Sequence, residues 1–391
     1  MKISKLTLTL SCLLTVLLPG AARAQEIEIK KEGIWIPGGT RPVPITMTGL
    51  SGEVAAVVRF DLEVAGFKFV TPNEAQFEVS GSNAGSVKGA LVDRISKSPI
   101  FSRAYSGASL RRQAHALSDD VVLAVTGRKG VAQTRLAFKV DTGRNSEVYV
   151  SDYDGFDAKP VTSDNTIVAA PCWVPGQMVL YYTSYKLGNP DIFRHDLSTG
   201  ERPAVARHSG LNTSAAVSPD GRRVAMILSK DGSPDVYVCN ADGGNLKRLT
   251  ATREDDSSPC WSPDGQWICF ATKINDRRLL CKVPASGGKA ERITTSGVSN
   301  PSEPDWSPDG KWIVFTAQMG GFEICVVPAA GGAATVLVSG EDPSWAANSR
   351  TVVFTRRREG GRSLSLLDVP TKQVKDVPRI SGSSSQPSWA R

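Results

Sequence analysis

The strongest constraint on this chain is a five-residue turn that recurs. Trp306-Ser307-Pro308-Asp309-Gly310 leads into Lys311-Trp312-Ile313-Val314-Phe315, a short β-branched and aromatic run. Pro308 presets φ for the second turn position, Asp309 suits the third, and Gly310 accepts the left-handed conformation that closes the turn. One copy predicts a hairpin and nothing more. Trp261-Ser262-Pro263-Asp264-Gly265 lies 45 residues earlier, and Val217-Ser218-Pro219-Asp220-Gly221 a further 44 before that. A period in the forties with several short strands per unit is the signature of a propeller.

Each unit reads as four strands: an apolar strand ending at the Trp position, an inner strand such as Trp267–Ala271, a third strand such as Asp235–Cys239, and a fourth carrying Leu249-Thr250 or Ile293-Thr294. Gly-Gly turns at 243–244, 287–288 and 331–332 separate the last two. Four antiparallel strands make one blade. The first-strand markers are Trp173, Val217, Trp261, Trp306, Trp345 and Trp389, the copies at Trp173 and Trp345 having degenerate turns. Six markers predict six blades. Trp389 lies two residues before Arg391, so its blade must find three strands elsewhere. Arg135–Val140, Ser146–Ser151 and Lys159–Thr162 match them. The ring is therefore expected to close by pairing Ser385–Ala390 with strands from 135–162, leaving no long open edge.

The N-terminus reads as an export signal. Lys2 and Lys5 precede an apolar core from Leu6 to Leu18, and Ala22-Arg23-Ala24 supplies small residues for cleavage before Gln25. No later stretch reaches the ~18 apolar residues of a spanning helix, so the mature chain is expected to be exported and not membrane-spanning. Residues 26–105 mix loop and weak strand signals. Ala55–Phe60 suits either a strand or a helix continuing through Leu62 and Val64. The clearest helix has Ser109 as N-cap, Leu110, Ala114, Leu117, Val121 and Val125 on one face, and Gly127 as its stop. The organisation predicted is a signal peptide at 1–24, a small α/β domain at 25–131 and a six-bladed β-propeller at 132–391: mainly β overall, and a monomer.

Charge and chemistry exclude several classes. A net charge of +7 is modest for 391 residues and does not indicate nucleic-acid binding. Arg356-Arg357-Arg358 reads as a solvated hairpin tip. Of the mature cysteines, Cys281 and Cys325 occupy equivalent blade positions as small buried hydrophobes, and only Cys260 and Cys269 flank one hairpin closely enough to pair. No spacing resembles a zinc site, and no metal or other cofactor is expected. Gly107-Ala108-Ser109-Leu110-Arg111 fails as a nucleophile elbow at its last position. The three histidines are dispersed: His115 on the predicted helix as a satisfied structural residue, His195 on a third strand at the surface or between blades, and His208 in a loop. The repeated turn aspartates are expected to bond their own turns. The chain reads as a non-catalytic binding scaffold, whose polar loops at 207–214, 252–259 and 296–305 differ between blades. Glu254-Asp255-Asp256 would give that mouth a negative character suited to a basic partner patch.

The segment Arg111-Arg112-Gln113-Ala114-His115-Ala116-Leu117-Ser118-Asp119, its continuation to Thr134-Arg135-Leu136-Ala137-Phe138, the turn Ser151-Asp152-Tyr153-Asp154-Gly155 and the closing Gln386-Pro387-Ser388-Trp389 resemble the TolB family of the Tol-Pal envelope system. The resemblance runs through the mature chain in order and is weakest over 26–105. It implies a non-catalytic periplasmic scaffold supporting outer-membrane integrity and envelope constriction at cell division. One propeller mouth would dock the peptidoglycan-associated lipoprotein (Pal), through Arg207, His208, Asp255, Asp256, Ser257, Asn300, Ser302 and Glu303. The N-terminal tail Gln25, Glu26, Ile27, Glu28 and Ile29 would engage TolA, with other outer-membrane lipoproteins or porins as further partners. Two readings compete: an exported propeller binding a carbohydrate or peptide, which calls for aromatic mouth loops, and the accessory propeller of a peptidase system, which calls for a hydrolase domain.

Overall fold

A computed structural model describes residues 37–391 apart from Ala108; the segment 1–24, expected to be a signal peptide, and the tail Gln25–Ile29 lie outside the described residues. The N-terminal unit is a five-stranded sheet with two helices. In chain order its elements are β1 (Val43–Thr48), α1 (Gly52–Val64), β2 (Phe67–Phe69), β3 (Phe77–Ser82), β4 (Val87–Asp93), β5 (Ser98–Tyr105) and α2 (Leu110–Thr126). The sheet order is β2-β1-β3-β4-β5, with β1 parallel to both neighbours and the remaining pairs antiparallel. The stretch that suited strand or helix is helix: Val54, Val57, Val58, Asp61 and Leu62 are buried at three-to-four spacing. Helix α2 is bounded as its sequence dictates. Ser109 Oγ accepts from Arg112 N, and Gly127 closes the helix at φ +71°.

Six four-stranded sheets follow. Blade 1 comprises Val168–Trp173, Val179–Ser184, Asp191–Asp196 and Ala204–Ala206; blade 2 comprises Asn212–Val217, Arg223–Leu228, Asp235–Asn240 and Lys247–Arg248. Blade 3 comprises Asp256–Trp261, Trp267–Ile274, Arg277–Pro284 and Glu291–Ile293; blade 4 comprises Pro301–Trp306, Trp312–Gln318, Phe322–Pro328 and Thr335–Ser339. Blade 5 comprises Glu341–Trp345, Thr351–Arg358, Gly361–Asp368 and Gln373–Asp376. Blade 6 is composite: Ser383–Trp389 pairs antiparallel with Arg135–Thr142, which continues into Asn145–Asp152 and Lys159–Pro160.

The repeated turn is a β-turn closed by backbone. Gly310 N donates to Ser307 O at 2.9 Å, and Asp309 Oδ1 accepts from Ser307 Oγ and Lys311 N. The equivalent bonds recur around Asp220 and Asp264. Each marker side chain packs against the preceding blade. Trp261 sits with Ala225 and Ile227 of blade 2, and Trp345 with Val314 of blade 4. The cores therefore lie between blades. One expectation needs correcting: the first strand, read as apolar, is the strand that lines the central channel, and it carries Ser, Thr, Asp and Glu because it faces the channel space. The strand read as inner lies one position further out.

The six cysteines of the described residues are free thiols, five of them buried. Cys260 and Cys269 are directly opposed cross-strand partners, and Cys281 and Cys325 each face a second-strand Phe, Phe270 and Phe315. Burial pushes the Cys281 thiol up to about 11 and Cys325 to about 12, which keeps both protonated and inert. The arginine tip is less solvated than its sequence suggests: Arg356 and Arg358 pair with Asp376, and Arg357 with Glu341.

Candidate docking mouth

The first strand of every blade carries a β-bulge. At each bulge one non-glycine residue takes a positive φ: Ala170 (49°), Ser214 (55°), Ser258 (50°), Glu303 (52°), Asp342 (54°) and Gln386 (51°). These six line one end of the channel, around a cavity of about 210 Å³. A left-handed non-glycine residue costs roughly 1–2 kcal/mol, so six in one ring mark a feature that the surrounding strands enforce. Pro follows in five of the six copies, at a place where the bulged edge of the strand needs no N–H donor.

On one side the ring is stitched circumferentially. Glu303 Oε2 accepts from Asp342 N at 3.0 Å, Asp342 Oδ2 from Gln386 N at 3.1 Å, and Gln386 Oε1 from Ala170 N at 2.9 Å. A second tier, next to the marker residues, repeats the device: Asp305 Oδ2 accepts from Trp345 N at 2.7 Å, Ser344 Oγ from Trp389 N and Ser388 Oγ from Trp173 N, both at 3.2 Å. Blades 1 to 3 hold Cys172, Ala216 and Cys260 at that tier. The channel thus has a polar, acidic half across blades 4 to 6 and a small-residue half across blades 1 to 3. Burial and the adjacent Glu303 push the Asp342 carboxyl up to about 7.

The residues expected at the mouth divide into three groups. Arg207, His208 and Asp255 are exposed on the loops that approach this end of the channel, Arg207 lying 3.4 Å from Asp191. The His208 backbone is clamped by Asn212, whose Oδ1 accepts from His208 N and whose Nδ2 donates to His208 O, both at 2.9 Å. Asn300 is half-buried and its Oδ1 accepts from Arg278 N. Ser257, Ser302 and Glu303 are not on loops as expected but on first strands, and Glu303 reaches the ring. Asp256 is also in a strand and is 3% exposed, accepting from Thr250 Oγ1 at 2.6 Å, with burial raising its carboxyl to about 6. It braces its blade and offers no surface charge, which removes one of the three acids attributed to the mouth.

Sequence reasoning missed Asp342 and Gln386, and reached Ser214 and Ser258 only as unnamed members of the loops at 207–214 and 252–259. Their signal was present: a Pro or Ala two residues before each marker, preceded by the residue that faces the channel.

A second constellation sits at the opposite end, between α2 and the propeller. His115 Nδ1 lies 2.8 Å from Asp61 Oδ2, and Asp61 Oδ1 accepts from the Tyr153 hydroxyl. Arg111 pairs with Asp154 and, at 3.0 Å, with Glu53. The helix motif and the Ser-Asp-Tyr-Asp-Gly turn, 40 residues apart in sequence, are thus the two halves of one buried joint. His115 Nε2 has no hydrogen-bond partner among the described residues. His195 is 6% exposed rather than at the surface, and burial lowers its pKa to about 4, so it is neutral. Among the described residues no group of three or more His, Cys, Asp or Glu side chains is placed to hold a metal ion.

Residues 122–391 match the family described as the TolB beta propeller domain. The chain belongs to the TolB family. The Tol-Pal system protein TolB of Bordetella pertussis is 31% identical over 309 residues, spanning 78% of this chain and 70% of that protein, and the TolB of Bordetella parapertussis matches to the same extent. The crystal structure of TolB from Acinetobacter baumannii superposes with a TM-score of 0.81 at 21% identity, covering 91% of this chain and 98% of that one. That likeness carries the fold, a small α/β unit and a six-bladed ring. Among the described residues no helix is long and apolar enough to cross a membrane.

Proposed function

We propose that this TolB-family chain is a non-catalytic periplasmic scaffold that docks the peptidoglycan-associated lipoprotein at the loop-side mouth of its propeller. The supporting observation is the ring itself: six enforced left-handed residues open onto a rim where His208, Asp255 and Asn300 stand free of the blade cores. A rigid rim of varied polar side chains suits recognition, since little conformational freedom is lost on binding. Export through the N-terminal signal and TolA engagement by Gln25–Ile29 belong to the same reading, as do its roles in outer-membrane integrity and envelope constriction at division.

The test uses the mature chain and the soluble domain of the lipoprotein in a titration. Submicromolar binding is expected, weakened at least tenfold by His208→Ala and by Ser257→Trp, each read against unchanged melting of the free chain. Wild-type affinity in both variants would overturn the assignment of the mouth.

A further inference from the structure

At the far end of the channel from the docking mouth, a cavity of about 610 Å³ lies between helix α2 and the turn side of blades 6 and 1. Two buried ring nitrogens that line it have no hydrogen-bond partner among the described residues. His115 is 2% exposed and its Nδ1 is committed to Asp61, while Nε2 has no hydrogen bond among the described residues. Trp173 is 5% exposed and its indole Nε1 is likewise unpaired among those residues. The contrast with the other marker tryptophans is informative. Trp261, Trp306, Trp345 and Trp389 each donate Nε1 to an oxygen within 3.2 Å.

The charge around these two groups is one-sided. Arg112, Arg135 and Arg391 line the cavity, with Asp152 the one lining residue that has a carboxylate side chain. Arg112 has no ion pair among the described residues, and Arg135 Nε reaches Asp152 only at 4.0 Å. Arg391 is held by Asp305 and by the carbonyl of Trp345. An unpaired buried donor costs about 1–3 kcal/mol, and an indole or guanidinium can only donate. The group that satisfies this lining must therefore present acceptors on several sides and carry negative charge.

We propose that this cavity is a binding site for a small organic oxyanion, a phosphate ester or a carboxylate. It would take Trp173 Nε1–H as its buried donor beside His115 Nε2, with Arg112 and Arg135 closing the open side. The volume lies within the range of small-molecule sites and exceeds what one inorganic ion fills. The donors come from both units, so an occupant would bridge α2 to blade 1.

The experiment titrates the full mature chain with inorganic phosphate and, separately, with succinate, at fixed ionic strength. It follows heat and the ¹⁵N–¹H resonance of the Trp173 indole. Saturable binding of either probe that shifts this resonance is expected, and the tighter probe names the oxyanion class. Arg112→Gln lies on the exposed side and should leave the fold intact while weakening binding about tenfold, the loss of one charge-assisted bond. Trp173→Phe keeps the ring packing and should weaken it similarly. An unmoved indole resonance with both probes, or wild-type affinity in Arg112→Gln, would overturn the site and leave the cavity to water.

Discussion

Asp61 is the residue on which the joint between the two units turns. It is 3% exposed and accepts from the Tyr153 hydroxyl on one oxygen while facing His115 Nδ1 with the other. A buried carboxylate is tolerable only while such partners remain. Tyr153→Phe keeps the ring, with its stacking on Trp389, and deletes one donor. It should cost about 1–3 kcal/mol, read as a lowered urea midpoint. Tyr149→Phe, whose hydroxyl makes no such bond among the described residues, should move the midpoint by less than about 0.5 kcal/mol. A second residue-scale expectation concerns pH. The Asp342 carboxyl is raised to about 7 by burial and Glu303, and Asp256 to about 6 by burial. A carboxyl held above its unfolded value contributes stability that is full below about pH 4 and is lost as pH rises through the folded value. Between pH 5 and 7 these carboxyls lower the urea midpoint against the opposite drift of His195, whose lowered pKa favours the fold as pH rises, and Asp342→Asn should flatten the part of the fall that Asp342 causes. Equal slopes in the two proteins would exclude Asp342 as its source.

At the level of the element, turns that look alike in sequence differ in what surrounds them. Gly127 ends α2 at φ +71° with open space where a Cβ would stand, so Gly127→Ala carries only the left-handed penalty, about 1–2 kcal/mol. Gly155 closes the Tyr153 turn at φ +82°, and a Cβ there would lie 2.1 Å from the backbone oxygen of Pro378. Gly155→Ala must displace that segment as well. It should destabilise the chain clearly more than Gly127→Ala in parallel thermal melts; equal losses would refute the close approach. The same distinction limited what could be read in advance. The Trp-Ser-Pro-Asp-Gly copies gave strand pairing because turn geometry is local. The loop label on Ser257, Ser302 and Glu303 failed because Pro259 and Pro304 look like loop punctuation, yet sit in bulged strands. Asp256 read as a mouth acid because burial leaves no mark on a single polar letter.

For the whole molecule, closure is the decisive event. Ser383–Trp389 supplies the channel-lining strand of a blade whose other strands begin at Arg135. Trp389 then packs with Val353 and Leu364 of blade 5 and donates to Thr134 at 2.7 Å. Removing residues 383–391 would expose the edge of Arg135–Thr142 and unpair that seam. The truncated chain should lose its cooperative melt and self-associate in sedimentation. A peptide of residues 383–391 added in trans should restore monomeric behaviour, and a truncated chain that still melts as a sharp monomer would show that the seam is dispensable.

Repetition is why the fold was legible. A repeat of 39–45 residues fixes the blade, six markers fix the number, and the one strand left over at the C-terminal end with three at the other fixes the closure, all from local turn chemistry and counting. Tertiary structure alone decided what those residues face. It made the first strands a polar channel wall, placed left-handed Glu303 and Asp342 on one ring, buried Asp256 and brought Arg111 and His115 against Tyr153 and Asp154. These are contacts between segments distant in the chain, set by packing and burial, and a one-dimensional pattern carries direction along the strand but not the neighbour across it.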